Sequence, residues 1–235
     1  MRSKLTALAI ACLVLAVGAI AQAAPIPVAN YTFQAQDDVN AFRKVEGQNC
    51  KRKWSGNQAL GIGVGNDTNA CTFRSSVIAD SSSAYADLGM VAATSVARGG
   101  TPKLLKKAFV GIVVRRSDNA GYILRVLPNA GKWQFFRDPQ GTAGPKLEGS
   151  GSGKFIKAGA KPNTLSLRAF ANGGTSTSVI ASVNGRGVVS TTDSAADQPD
   201  GRQTAVAAGA KGSGAGTGIR GIFDNVLVQV PNPFG

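Results

Sequence analysis

The side chains able to do chemistry fall into three groups. Five basic residues, Lys103, Lys106, Lys107, Arg115 and Arg116, lie in a run between Asp87 and Asp118 that contains no acid. Summed over such a run, Coulomb attraction recruits polyanions, although the same composition also serves as a solvated surface. Tyr122 and Trp133 follow closely. A ring of either kind offers a face for stacking on a sugar, or else fills a core. The third group is a cysteine pair, Cys50 and Cys71. Two thiols without histidine fall short of the three or four ligands of a zinc site, so no metal site is expected, and in an exported chain an even pair forms one disulfide.

The chemistry that is missing narrows the reading further. The chain has no histidine, which removes Ser-His-Asp and Cys-His nucleophiles and the commonest general base. Glutamate occurs only as Glu46 and Glu148, both in turn-rich text. No strand-like segment carries two acids at i and i+2, the spacing that aims a carboxylate pair into one groove. A pair assembled from distant strands stays open. Asp37-Asp38 read as a helix start, while Asp118-Asn119 and Asp224-Asn225 supply oxygens that suit calcium and equally serve turns. No catalytic residue is assigned.

Compartment follows from residues 1–23. Arg2 and Lys4 form a basic head, residues 5–20 are apolar without a charge, and Ala21-Gln22-Ala23 offers a cleavage site, the pattern of a secretory signal. The sixteen-residue apolar stretch is short of the roughly 18 to 20 residues that cross a bilayer, so no transmembrane segment is expected. Cys12 leaves with the leader. Removing Arg2 and Lys4 takes the formal net charge from +13 to +11, and the polyanions available outside a cell are envelope polymers, acidic polysaccharides, anionic lipids and released nucleic acid. No specific nucleic-acid partner is expected, because no basic strand is studded with base-stacking aromatics.

Strands must position these groups. Residues 109–116 (FVGIVVRR) form an apolar run suited to a strand buried on both faces, ended by the turn residues 117–121. Residues 122–127 (YILRVL) return and 132–137 (KWQFFR) run back, as in an antiparallel meander. Residues 165–170 alternate apolar and polar, and 179–183 and 187–190 flank Asn184-Gly185, the dipeptide of a type I′ hairpin. Residues 28–33, 60–64, 70–78 and 86–96 are further strand candidates. Residues 98–107 read as a basic loop, and 141–153 and 207–218 as glycine-rich loops. In the final strand, 220–230, Ile222, Val226, Val228 and Val230 are expected to share a face that Asp224 interrupts. Ten to twelve strands, one short helix and no composition break predict an all-β, two-sheet antiparallel jelly-roll sandwich, one domain over residues 24–235.

The succession FVGIVVR (109–115), GYILRV (121–126), KWQFFR (132–137), NTLSLR (163–168), VNGRGV (183–188) and FDNVLV (223–228) resembles concanavalin A-like lectin/glucanase domains, particularly laminin-G-like domains of bacterial exported proteins. The resemblance covers about residues 108–230 by motif and 28–96 by strand count alone. It implies a curved sandwich whose concave face or rim loops hold glycans. Glucanases of that superfamily carry E-x-D-x-E on a concave strand, and this chain lacks it. The expectation is an exported or periplasmic, non-catalytic module that binds a glycan or anionic envelope polymer through Lys103, Lys106, Lys107, Arg115 and Arg116 beside Tyr122 and Trp133. The alternatives are an adhesion module with a protein partner, and a glycoside or keto-sugar hydrolase. No cofactor is expected unless the Asp-Asn pairs hold calcium.

Overall fold

Alternation of apolar and polar residues along extended segments leaves each strand with one face to bury, and two sheets bury those faces against each other. The structure, a computed structural model, describes residues 26–55, 59–65, 70–78, 90–117, 120–141, 144–172, 175–210 and 218–230. In chain order the elements are β1 (Ile26–Tyr31), α1 (Gln36–Asn40), β2 (Phe42–Glu46), β3 (Cys50–Ser55), β4 (Ala59–Val64), β5 (Ala70–Ile78), β6 (Met90–Arg98), α2 (Pro102–Leu105), β7 (Ala108–Arg116), β8 (Gly121–Leu127), β9 (Lys132–Asp138), β10 (Lys146–Ser152), β11 (Asn163–Asn172), β12 (Ser176–Val183), β13 (Arg186–Asp193), β14 (Gln203–Ala210) and β15 (Arg220–Val230). An eight-stranded sheet runs β13-β12-β11-β6-β15-β4-β3, with β1 also paired to β15. A seven-stranded sheet runs β10-β9-β8-β7-β14-β5-β2. All pairings described are antiparallel.

One core fills the space between the sheets. Val110, Ile112, Val114, Leu124, Val126, Val206 and Ala208 of the seven-stranded sheet meet Leu60, Ile62, Leu165, Leu167, Val179 and Phe223 of the other. The sheets approach so closely that a Cβ on Gly221 would stand 2.3 Å from the Cβ of Ala208. Cys50 of β3 and Cys71 of β5 are joined by a disulfide with Cα atoms 5.7 Å apart, stapling one sheet to the other.

The meander β7-β8-β9, the hairpin β12-β13 and the helix start at Asp37-Asp38 stand where the sequence places them. Asn184 and Gly185 take the positive φ of 52° and 79° that the type I′ turn needs. Fifteen strands are described, more than the ten to twelve expected. Those without an apolar stripe are β2, β3 and β10, which are edge strands or lie at the rim and need bury only one side. β10 and the end of β14 fall in segments that the sequence reads as glycine-rich loops. β14 (QTAVAAGA) is built of small side chains because it runs down the middle of its sheet, buried along nearly its whole length. The basic loop 98–107 contains the short helix α2, capped by the Thr101 hydroxyl, which accepts from the Leu104 N–H.

The final strand departs from simple alternation. A bulge at Asp224-Asn225, where Asn225 adopts φ 51°, shifts the register between Asp224 and Leu227. The inserted residue puts Phe223 and Val226 both inside and turns Ile222 to the outer face, so Ile222 does not share a face with Val226, Val228 and Val230. Residues 1–23 and the Asp118-Asn119 pair lie outside the described residues. Among the described residues, no helix is long and apolar enough to cross a membrane.

Candidate functional site

The five basic residues do not form one cluster. Lys103 lies in α2, and Lys106 and Lys107 follow it, all exposed. Arg115 and Arg116 end the nine-residue strand β7 that begins just after them, which separates the two groups by about 25 Å of extended chain. Arg115 is 6% exposed, has φ 48°, and its Nε donates to the Pro199 carbonyl at 2.9 Å. It ties down the chain between β13 and β14 and presents no charge to a polymer. The reason is a direction reversal of side chains at its strained backbone that periodicity alone does not foresee.

Tyr122 and Trp133 do come together. With Phe135, Arg137, Glu148, Gly149 and residues 188–193 they line a cleft of about 490 Å³ between the free edges of the two sheets. Tyr122 is 1% exposed and stacks on Phe135, so its ring belongs to the core. Its hydroxyl donates to Asp193 Oδ2 at 2.8 Å, and burial, followed by the Asp193 charge, pushes its pKa well above the ordinary value. Trp133 is half-buried, its indole resting on Gly149 and Gly151 of β10. Arg137 Nε donates to Asp193 at 2.6 Å, and its Nη2 donates to Asp197.

Burial opposes the charges here, yet the hydrogen bonds outweigh it. Arg137 is held more basic by Asp197 and Asp193, and Asp193, despite burial, is held below the ordinary carboxylate range by Arg137, the Ala195 N–H and Tyr122. Asp197 is lowered by its bond from Arg137. Both aspartates are therefore ionised and engaged, whereas a glycosidic general acid needs a raised pKa. Glu148 is exposed on the cleft wall.

A second site lies on the outer face of the seven-stranded sheet. Register places Gln134, Arg125, Gly111, Ala207, Thr72 and Glu46 in one row across β9, β8, β7, β14, β5 and β2. Directly paired residues share a face, and the alternate residues of these strands are core, so this row points outward. The neighbouring row holds Phe136, Ile123, Val113, Ala205 and Arg74. Gly111, Ala205 and Ala207 make a floor without bulk, and Arg125 lies over it. A Cβ on Gly111 would stand 3.1 Å from Arg125 Cγ.

The Arg125 guanidinium sits between two rings, 4.5 Å from the Phe109 centroid and 4.7 Å from that of Phe136. Its buried Nε makes no hydrogen bond. Burial lowers its pKa, opposed by the charges of Glu46 and Asp138. Across the floor, Thr72 Oγ1 donates to Glu46 Oε2 at 2.7 Å and Arg74 Nη1 donates to Gln203 Oε1 at 3.1 Å. The arrangement is a small-residue trough whose floor of Gly111, Ala205 and Ala207 is buried, and the groups at its surface able to donate to and accept from hydroxyls are the half-buried Arg125 and the exposed Glu46.

None of the trough residues was singled out as a binding residue from the sequence. Glu46 was read as a turn residue, but it ends β2 and faces the trough. Arg125 did leave a signal, being the one charge inside the apolar run YILRVL. The Asp224-Asn225 pair builds the bulge of β15, with Asp224 Oδ1 accepting from the Asn225 N–H at 2.7 Å.

No protein-family model matches the chain, and no curated protein matches it significantly. Solved structures do. The carbohydrate binding module CBM66 from Bacillus subtilis matches with TM-score 0.54 at 13% identity over 80% of this chain and 95% of that one. A β-glucanase from Bacillus licheniformis matches with TM-score 0.58 at 12% identity over 85% and 96%. A Bacillus subtilis protein of unknown function with a galectin-like fold matches with TM-score 0.58 at 11% identity over 88% and 98%. The fold is thus a concanavalin A-like, two-sheet antiparallel jelly-roll sandwich.

Proposed function

We propose that this chain is an exported, non-catalytic module that binds a neutral glycan in the trough of the seven-stranded sheet. The observation that carries the reading is Arg125, a guanidinium held between two rings over a floor of small residues, with Nε unbonded and Glu46 and Asp138 acting on its charge. Sugar rings present apolar C–H faces and a rim of hydroxyls, and the half-buried Phe136 ring suits the first while Arg125 and the exposed Glu46 suit the second. Arg125 and Arg74 are matched by Glu46 and Asp138, which favours an uncharged sugar over an acidic one. The carbohydrate binding module CBM66 and the CBM2 module of the Lactobacillus casei phage J-1 evolved Dit share the fold. The cross-sheet disulfide and the signal-like leader support export.

Glycan-array screening of the purified chain tests the reading. For the best sugar, Arg125→Gln and Glu46→Gln are each expected to weaken binding at least tenfold. Arg125→Met should hold or raise the melting temperature, because replacing an incompletely bonded buried charge by an apolar side chain is neutral or stabilising. Binding unchanged in Arg125→Gln would overturn the site. Two carboxylates on one face also make hydrolysis worth assaying; reducing ends released by the wild type and abolished in Glu46→Gln or Asp138→Asn would overturn the non-catalytic reading.

A further inference from the structure

The excess positive charge is not in the trough, and the register of the eight-stranded sheet shows where part of it is gathered. Gly63 of β4 pairs with Lys51 of β3 on one side and with Arg220 of β15 on the other, and Arg220 in turn pairs with Arg98 of β6. One row thus reads Lys51, Gly63, Arg220, Arg98. The adjacent row reads Lys53, Gly61 and Ile222. Ile62 and Val64 are core, so both glycines face outward, together with Lys51, Lys53, Arg220 and Ile222 beside them.

The consequence is a channel along β4. Its floor is the backbone of Gly61 and Gly63, and its walls are Lys51 and Lys53 on one side and Arg220 on the other, all exposed. At the usual strand spacing the walls rise about 10 Å apart, with Lys51 and Lys53 about 7 Å apart along the strand. Arg52 between them turns the other way, its Nη1 donating to the Asn40 carbonyl. The sequences of β3, β4, β6 and α2 contain no acid. Two carboxylates of the described flanking segments are engaged. Asp224 lies further along β15 and accepts from the Asn225 N–H, and Asp38 of α1, beside the far face of β3, accepts from the Phe33 N–H. Lys103, Lys106 and Lys107 are exposed in the segment that follows β6.

We infer that this channel binds an extended phosphodiester polymer, with Lys51, Lys53 and Arg220 as the contacting cations. Lysine acts on phosphate as a point charge and does not require the planar, bidentate geometry that carboxylate recognition by arginine uses. The separation of Lys51 from Lys53 is that of successive phosphates in a chain with about six bonds per repeat. A glycine floor lets the backbone of a polymer lie close to the sheet. No aromatic side chain stands among the channel residues named, so bases are not read and a polyol phosphate suits the channel better than a nucleic acid. This inference does not depend on the glycan reading, since it concerns the opposite sheet and different residues.

The test is a binding titration of the purified chain with fluorescently labelled poly(glycerol phosphate) over a range of salt. The wild type should bind, with affinity falling as salt rises. Lys51→Gln/Lys53→Gln/Arg220→Gln should weaken binding at least tenfold and reduce the logarithmic salt slope by about one unit for each cation removed. Gly63→Glu, which brings a carboxylate into the channel, should have a similar effect. A control triple, Lys154→Gln/Lys157→Gln/Lys161→Gln, should cost much less, and Arg125→Gln should leave binding intact. Circular dichroism and melting temperature establish that each variant is folded. No binding by the wild type, equal loss in the control triple, or equal affinity for polygalacturonate or single-stranded DNA would overturn the inference.

Discussion

Arg125 and Arg137 stand on neighbouring strands, on opposite faces of one sheet, and their surroundings give them opposite roles. Arg137 faces inward and is bonded by Asp193 and Asp197, so it serves to hold β13 and the following segment against β9. Arg125 lies on the outer face with rings on both sides and an unbonded Nε, the observation on which the proposed glycan site rests. Asp193, whose pKa lies below the ordinary range when folded, contributes stability that is complete above its unfolded pKa and is lost as pH falls through the folded value. Asp193→Asn is therefore expected to cost about 3 kcal/mol at neutral pH. It should also flatten the fall in melting temperature below about pH 4. Thermal unfolding from acid to neutral pH checks both, and a variant that melts like the wild type at pH 7 would contradict the role given to this carboxylate.

At the scale of elements, β9 and β10 form a wall whose inner surface depends on glycine. The indole of Trp133 lies on Gly151, where a Cβ would stand 2.7 Å from its Nε1, and this contact packs the ring against the core while leaving one side on the cleft. Trp133→Ala should lower stability by about 3 kcal/mol, in the range for removing a large aromatic side chain. Gly151→Ala should lower it less, by displacing the ring. Glycan affinity should stay within about twofold in both, measured by titration alongside melting curves, because the trough lies on the other face; a loss of affinity with unchanged melting would move the site to the cleft. β15 makes a related point, since the one-residue bulge at Asp224-Asn225 decides that Ile222 flanks the glycine channel instead of joining the core.

For the molecule as a whole, two sheets packed on one core are cross-linked near the β3-β5 side by Cys50–Cys71. Closing that loop restricts the unfolded chain by roughly 3 kcal/mol. The double variant Cys50→Ser/Cys71→Ser should accordingly melt about 6 to 12 °C lower. Denatured, unreduced protein lacking the leader should bind no thiol reagent, and stoichiometric labelling would contradict the link.

The sequence by itself determined the class of fold. Alternation and turn dipeptides are local, so β7, β8, β9, β11 and the β12-β13 hairpin were legible from residues in contact along the chain, and two cysteines in an exported pattern left one pairing. The edge strands β3 and β10 and the small-residue strand β14 were not legible, because their stability comes from neighbours distant in sequence and leaves no stripe of their own. Only the tertiary structure decided which charged residues act together. Whether Arg125 shares a row with Glu46, or Lys51 with Arg220, depends on the order and register of strands that lie tens of residues apart, and a shift of one residue would turn each of those side chains to the other face.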